Sequence, residues 1–187
     1  MATPPGAAAP SSTRIIPVVD CSQTTAGLEQ TLDSLERAGA SDDAVIVSGP
    51  PVDGIEGFNR VEDLLADVGS RDCWMFVMNP GDRAAPLICD LYARAIAAAP
   101  DASVIYADDD LIDAAGRRHS PHFKPGWNPD LFEHHDFLTR SGIVKMTVAI
   151  PAPNGSGDWV VALYHGAALR ADPVHFPFVL HHRRDRP

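Results

Sequence analysis

An alternation of short and long segments constrains this chain more than any other feature. From residue 14 to residue 107, short apolar runs take turns with longer stretches whose apolar residues recur every three or four positions. Runs 14–19, 44–47, 73–78 and 103–107 read as strands, and 24–39, 57–68 and 86–100 as helices. Run 73–78 is apolar throughout, as expected of a strand covered on both faces. Pro17 reads as a break in the first run, because proline brings no N–H to a ladder. Leu28, Leu32 and Leu35 share one face of the first helix, which Thr24 or Thr25 would cap and Gly39 would end. The order predicts an α/β fold, a Rossmann-like, mostly parallel sheet with helices on both faces. In such sheets ligands bind beyond the carboxyl ends of the strands. There the sequence places Asp20, Asp82, and Asp108, Asp109 and Asp110.

The second half is less regular. Residues 119–129 are rich in proline and aromatics, 130–146 are ambiguous between helix and strand, and 151–157 read as a loop. A helix over 158–170 and a closing strand over 174–181 follow. The length of 187 residues fits one domain, here 14–187. Residues 1–13, rich in Ala, Pro and Ser, read as a disordered lead-in without the charged and apolar regions of a signal peptide.

Charge excludes one function class. Fifteen basic against 25 acidic residues leave a net charge of −10, the opposite of a nucleic-acid-binding face. Arg183, Arg184 and Arg186 are the exception, and read as a solvated tail. Three cysteines, with no C-x-x-C spacing, argue against a disulfide framework or structural zinc and fit a reducing, cytoplasmic setting. No apolar run approaches the roughly 20 residues of a membrane span. The pairs His134-His135 and His181-His182 would point to opposite faces of a strand, so neither makes a two-ligand metal site. H-E-x-x-H, G-x-S-x-G, Walker A and G-x-G-x-x-G patterns are absent.

The densest chemical signal is the run Asp108-Asp109-Asp110, with Asp113 behind it. Neighbouring carboxylates raise one another's pKa unless a cation or hydrogen-bond donors compensate. Mg²⁺ or Mn²⁺ is the usual partner and can bridge a diphosphate. The plainer reading is an acidic turn with solvated side chains. Trp127 and Trp159 offer indole faces for a sugar or base, and Asp158 a carboxylate able to take a proton from a hydroxyl. Their plainer readings are core tryptophans and a helix cap.

Several stretches taken together resemble family 2 glycosyltransferases of the O-antigen and rhamnosyltransferase type. Val104-Ile-Tyr-Ala-Asp-Asp-Asp-Leu-Ile-Asp-Ala-Ala-Gly-Arg-Arg118 is similar to their YSDED-x-ID-x-x-GRR segment. Phe123-Lys-Pro-Gly-Trp-Asn-Pro-Asp-Leu131 is similar to their F-K-P-x-W-x-P-D-L, and His175-Phe-Pro-Phe-Val-Leu-His-His-Arg183 to their H-x-P-x-V-L-Y-H-x-R. Gly81-Asp-Arg-Ala-Ala-Pro86 matches their D-R-L-A-P turn. The resemblance implies a GT-A fold and inverting sugar transfer in cell-surface polysaccharide synthesis. The donor would be a nucleotide-diphosphate sugar and the acceptor a saccharide or lipid-linked chain, with Mg²⁺ or Mn²⁺ as cofactor. Site residues carry over as follows: Asp158 as general base; Pro17, Val19, Asp20, Asp82, Asp109, Lys124 and Trp127 at the nucleotide sugar; Asp82, Asp108 and Asp110 at the metal. A cytoplasmic protein, working at the inner membrane face by peripheral association, is compatible with this.

The chain departs from that pattern in four places, one of them a short segment between Met146 and Asp158. Its second strand ends Val47-Ser48-Gly49-Pro50, where the family carries acids. The D-x-D position reads Asn79-Pro80-Gly81. The helix after Asp158 lacks the family's second acid. These losses support a second expectation, a catalytically degenerate module that binds carbohydrate or a partner.

Overall fold

The computed structural model describes residues 13–147 and 158–186. The elements are β1 (Arg14–Asp20), α1 (Leu28–Arg37), β2 (Val45–Val47), β3 (Glu56–Phe58), α2 (Val61–Gly69), β4 (Cys73–Met78), β5 (Arg83–Ala84), α3 (Ile88–Ala98), β6 (Val104–Ile112), β7 (Arg118–His122), α4 (Pro129–His134), β8 (Gly142–Lys145), α5 (Trp159–Ala168) and β9 (Val174–Arg183). One nine-stranded sheet runs β3-β2-β1-β4-β8-β6-β9-β5, with β7 paired to β6. Strands β1, β2, β3, β4, β6 and β9 point one way, while β5, β7 and β8 run against them. The sheet is mixed but mostly parallel, an α/β architecture.

The period-two geometry of strands divides the core. Ile15, Val19, Trp74, Phe76 and Met78 face one side, where they pack with Leu35 of α1 and with Ile88, Tyr92 and Ile96 of α3. Ile16, Val18, Cys73, Met75 and Val77 face the other, against Leu64 and Val68 of α2 and the Trp159–Ala168 helix α5. Helices therefore cover both faces, and the interior strands read as continuous apolar runs for that reason.

Several local expectations change. Pro17 does not break β1, and pairs opposite Phe76 in register. Pairing with β2 begins only at Val18, so at Pro17 the strand is bonded on one side and tolerates a missing N–H. Neither Thr24 nor Thr25 caps α1: its N-cap is Gly27, at φ +92°. The ambiguous segment 130–146 divides into α4, capped by the Asn128 side chain on Leu131 N–H, and β8. The closing strand runs on to Arg183, and β3, β5 and β7 are short additions at the margins. The lead-in expected over 1–13 and the loop expected over 151–157 lie outside the described residues, Thr13 excepted. Among the described residues no helix is long and apolar enough to cross a membrane.

The acidic triplet differs most from its expected place. Asp108, Asp109 and Asp110 lie inside β6, not beyond its end. They are paired on one side with β9 across a bulge, and Asp109 pairs with His122 of β7 on the other. A strand continues through three carboxylates because both neighbours bring cations and hydrogen-bond donors to them.

Candidate functional site

A cleft of about 820 Å³ opens at the carboxyl ends of β1 and β4. Asp20, Asp82, Asp158 and Arg140 line it together with Arg183, the last residue of β9, and Arg184 after it. A larger hollow of about 960 Å³ lies at the opposite end of the sheet, among Arg14, Gly39 and Cys89. It gathers none of these charged groups and carries no comparable chemistry.

Asp20 ends β1 and is buried. One carboxylate oxygen accepts from Ser22 N–H at 3.0 Å; the other accepts from Trp159 Nε1 at 3.0 Å and from Arg140 Nη2 at 3.3 Å. Trp159 thus fastens the start of α5 to the tip of β1. Asp158 caps α5, accepting from Val160 N–H at 2.8 Å, and its side chain stays 45% exposed to the cleft. Arg140 Nη2 also reaches both Asp158 oxygens, at 3.2 and 3.4 Å. One guanidinium therefore bridges a buried and an open carboxylate that are 138 positions apart in the chain.

Arg140 holds that position against backbone strain. Its φ is +62°, a left-handed conformation uncommon outside glycine and costing about 1–3 kcal/mol. The preceding turn enforces it. Asp136 accepts from Leu138 N–H and Thr139 N–H, and Ser141 N–H returns to Leu138 O at 3.1 Å. Burial pushes the Asp136 carboxyl up, but the Thr139 hydroxyl and these N–H groups outweigh it and hold it below its usual range.

Two glycines build the opposite wall. Thr31 of α1 is buried; its hydroxyl accepts from Gly81 N–H and donates to Asp82 O, both at 2.8 Å. This ties α1 to the turn after β4. A Cβ on Gly27 would meet Gly81 Cα at 2.6 Å, and one on Gly81 would meet Arg184 Cδ at 2.1 Å. Both residues have positive φ, so only glycine fits either place. Asp82 clamps the same turn, accepting from Asn79 N–H at 3.0 Å and Arg184 N–H at 2.8 Å. Burial raises its pKa despite those two bonds.

The remaining expected site residues do not line the cleft. Pro17 and Val19 are buried within β1, and the Val19 side chain belongs to the core. Trp127 packs on Phe132 and Phe137 and donates to Asp172 at 3.2 Å. Lys124 lies behind the cleft, its Nζ 3.1 Å from Asp109 and bonded to Ser141 Oγ. Burial lowers the Lys124 pKa to about 8, with Asp109 opposing. Asp109 also takes Arg186 Nε at 2.6 Å. Burial raises its pKa, but Lys124 and the arginines prevail and lower it.

Asp82, Asp108 and Asp110 do not form a metal-ligand set as placed. Asp108 accepts from Lys124 N–H and meets His175 at 2.9 Å; Asp110 takes Arg118 at 2.6 Å and His182 at 2.7 Å. Among the described residues no three His, Cys, Asp or Glu side chains gather as a metal site. Both oxygens of Asp82 and of Asp110, and Oδ1 of Asp108, are already engaged by protein groups.

Sequence reasoning missed Arg140 and the role of the terminal arginines. Arg183 is buried and Arg186 bonded, so these two are no solvated tail, and both line the cleft with the exposed Arg184. Three arginines at the end of the last strand of an acidic chain were the available signal. Nothing in the sequence around Arg140 announces its left-handed turn.

No family model matches the chain. The O-antigen biosynthesis protein RfbC of Myxococcus xanthus is 40% identical over 53 residues, which is 28% of this chain and 4% of that protein. The uncharacterized protein y4gI of Sinorhizobium fredii is 34% identical over 74 residues, 40% of this chain and 8% of that protein. The matched stretches thus span only a small part of either relative. Among solved structures, S. aureus TarS 1–349 superposes with a TM-score of 0.62 at 11% identity, over 91% of this chain and 60% of that one. Its complex with UDP-GlcNAc gives 0.63, over 94% and 59%. The 2-C-methyl-D-erythritol 4-phosphate cytidylyltransferase of Francisella tularensis gives 0.52 at 11% identity. At such identities the likeness is one of fold, and the chain has the GT-A-type, Rossmann-like architecture that its sequence resembles.

Proposed function

We propose that this domain is a glycosyltransferase acting in polysaccharide synthesis. It would transfer a sugar from a nucleotide-diphosphate donor to a saccharide or lipid-linked hydroxyl. The observation that carries this reading is the convergence of Asp20, Asp82, Asp158 and Arg140 on one cleft at the carboxyl edge of a GT-A-type sheet. The complex of the TarS neighbour with UDP-GlcNAc and the short RfbC match support the same class.

In the proposed reaction the acceptor hydroxyl gives its proton to Asp158. Its oxygen attacks the anomeric carbon from the face opposite the diphosphate, and the bond from that carbon to the phosphate oxygen breaks. The nucleoside diphosphate leaves with the bonding pair, and the configuration inverts. Asp158 suits the base role because it is open to the cleft while Val160 N–H and Arg140 fix its orientation. Arg140 and Asp20 are positioning residues for it. Peripheral membrane association belongs to the proposal only through the lipid-linked acceptor.

The engaged state of Asp108 and Asp110 favours a second reading, a fold that binds nucleotide sugar or carbohydrate without turnover. Incubation with UDP-, GDP- and dTDP-sugars, with release of nucleoside diphosphate as the readout, separates the two. The enzyme reading expects release from one donor, lost in Asp158→Asn. Binding without release would establish the second reading and overturn the first.

A further inference from the structure

This inference rests on the nucleotide-diphosphate reading and concerns how the diphosphate is held. We infer that arginine guanidinium groups, chiefly those of Arg184, Arg183 and Arg140, neutralise the donor diphosphate in place of a divalent cation. A diphosphate entering this cleft needs positive charge and N–H donors. Five of the six carboxylate oxygens that would carry a metal there are otherwise committed. Asp82 is bonded to two backbone N–H groups, Asp108 to Lys124 N–H and His175, and Asp110 to Arg118 and His182.

The arginines, in contrast, hold unused donors. Arg183 is buried, lines the cleft, and its Nε has no hydrogen-bond partner among the described residues. Its nearest carboxylate oxygen, on Asp109, is 4.0 Å from Nη1. Arg140 is also buried and lines the cleft, and its Nη1 is likewise unpartnered among the described residues although Nη2 serves two aspartates. Buried polar groups are normally bonded, so two orphaned guanidinium N–H groups at one cleft point to an acceptor that binds there. Arg184 supplies an exposed charge. It is exposed, forms no side-chain ion pair among the described residues, and its stem crosses Gly81 where any larger residue would displace it. Asp82 fixes its backbone. Guanidinium forks match phosphate oxygens in pairs, a geometry that a lone lysine does not offer. Arg186 is left out of the set because Asp109 and Ser120 O already take its Nε and Nη2 donors.

Calorimetric titration of the full chain with inorganic pyrophosphate, UDP, GDP and dTDP, in EDTA and then in Mn²⁺, tests this. The expected result is binding of at least one nucleotide in EDTA, with added Mn²⁺ changing Kd little. Arg184→Ala should weaken that binding by at least about tenfold. Arg94→Ala, an exposed residue of α3 away from the cleft, should leave it unchanged. Thermal unfolding of each variant checks that the fold is retained. Nucleotide binding that requires Mn²⁺ would overturn the inference and leave the proposed function standing, as would a folded Arg184→Ala variant with unaltered affinity. Absence of nucleotide binding under both conditions would overturn the proposed function and this inference together.

Discussion

Two acidic regions of this molecule look equally promising in sequence and differ entirely in structure. Asp108, Asp109 and Asp110 are consecutive, yet they occupy one strand, where neighbours point to opposite faces and each meets its own partners: His175 and Lys124 N–H, Lys124 Nζ, and Arg118. Asp20, Asp82 and Asp158 are scattered over 138 positions, yet they line one cleft. Proximity in sequence within an extended segment separates side chains. Proximity of strand ends gathers them. The triplet therefore stabilises the joint between β6, β7 and β9, and the scattered set lines the cleft of the proposed site.

The contrast predicts separable phenotypes. The largest effect falls on the cleft. Asp158→Asn should cut nucleoside-diphosphate release roughly 10²–10⁴-fold, the usual contribution of a general base. Asparagine still caps a helix, so unfolding stability should stay within about 1 kcal/mol. Asp109→Ala should show the reverse weighting. Removing it leaves Lys124 and Arg183 buried without their counter-charge, and denaturant unfolding should register a loss of about 3–5 kcal/mol. Equal stability losses in the two variants would erase the distinction.

Acid sharpens the same division. His181 lies opposite Asp109 in register, bonds the Tyr92 hydroxyl at 2.6 Å, and burial lowers its pKa to about 3. The unfolded chain takes up a proton near pH 6.5 that the folded chain refuses, so stability falls as pH drops from about 6.5 towards 3. By pH 5 the loss from this residue should be about 2 kcal/mol. His181→Gln should flatten that part of the pH–stability curve. Arg118→Ala is expected to have the smallest effect, under about 1 kcal/mol, because Arg118 is half-exposed and Asp110 keeps His182.

The fold was legible because its signals are periodic. Apolar runs such as 73–78, and the three-four spacing of Leu28, Leu32 and Leu35, report burial directly, and both cores use them as expected. The carboxyl-edge rule led to Asp20 and Asp82, which do line the cleft, because strand ends there are set by the turns that follow them. Two things were not legible. The extension of β6 through Asp108, Asp109 and Asp110 depends on arginines and hydrogen-bonding side chains delivered by β7, β9 and residues beyond, which are tertiary contacts with no local signature. The left-handed turn at Arg140 arises from Asp136 bonding the next residues' N–H groups, a device that a short polar stretch does not distinguish from an ordinary loop. Trp127 marks a related limit: an indole suits a sugar or a core equally, and here Phe132 and Phe137 take it.

Hydrogen–deuterium exchange of the full chain, with and without saturating UDP, GDP and dTDP together, tests the central claim most directly. The account predicts new protection over residues 20–26, 79–82, 136–140 and 183–186, and no change over 104–107 within β6. Protection absent from the cleft segments, or confined to the hollow around Arg14 and Cys89, would contradict it.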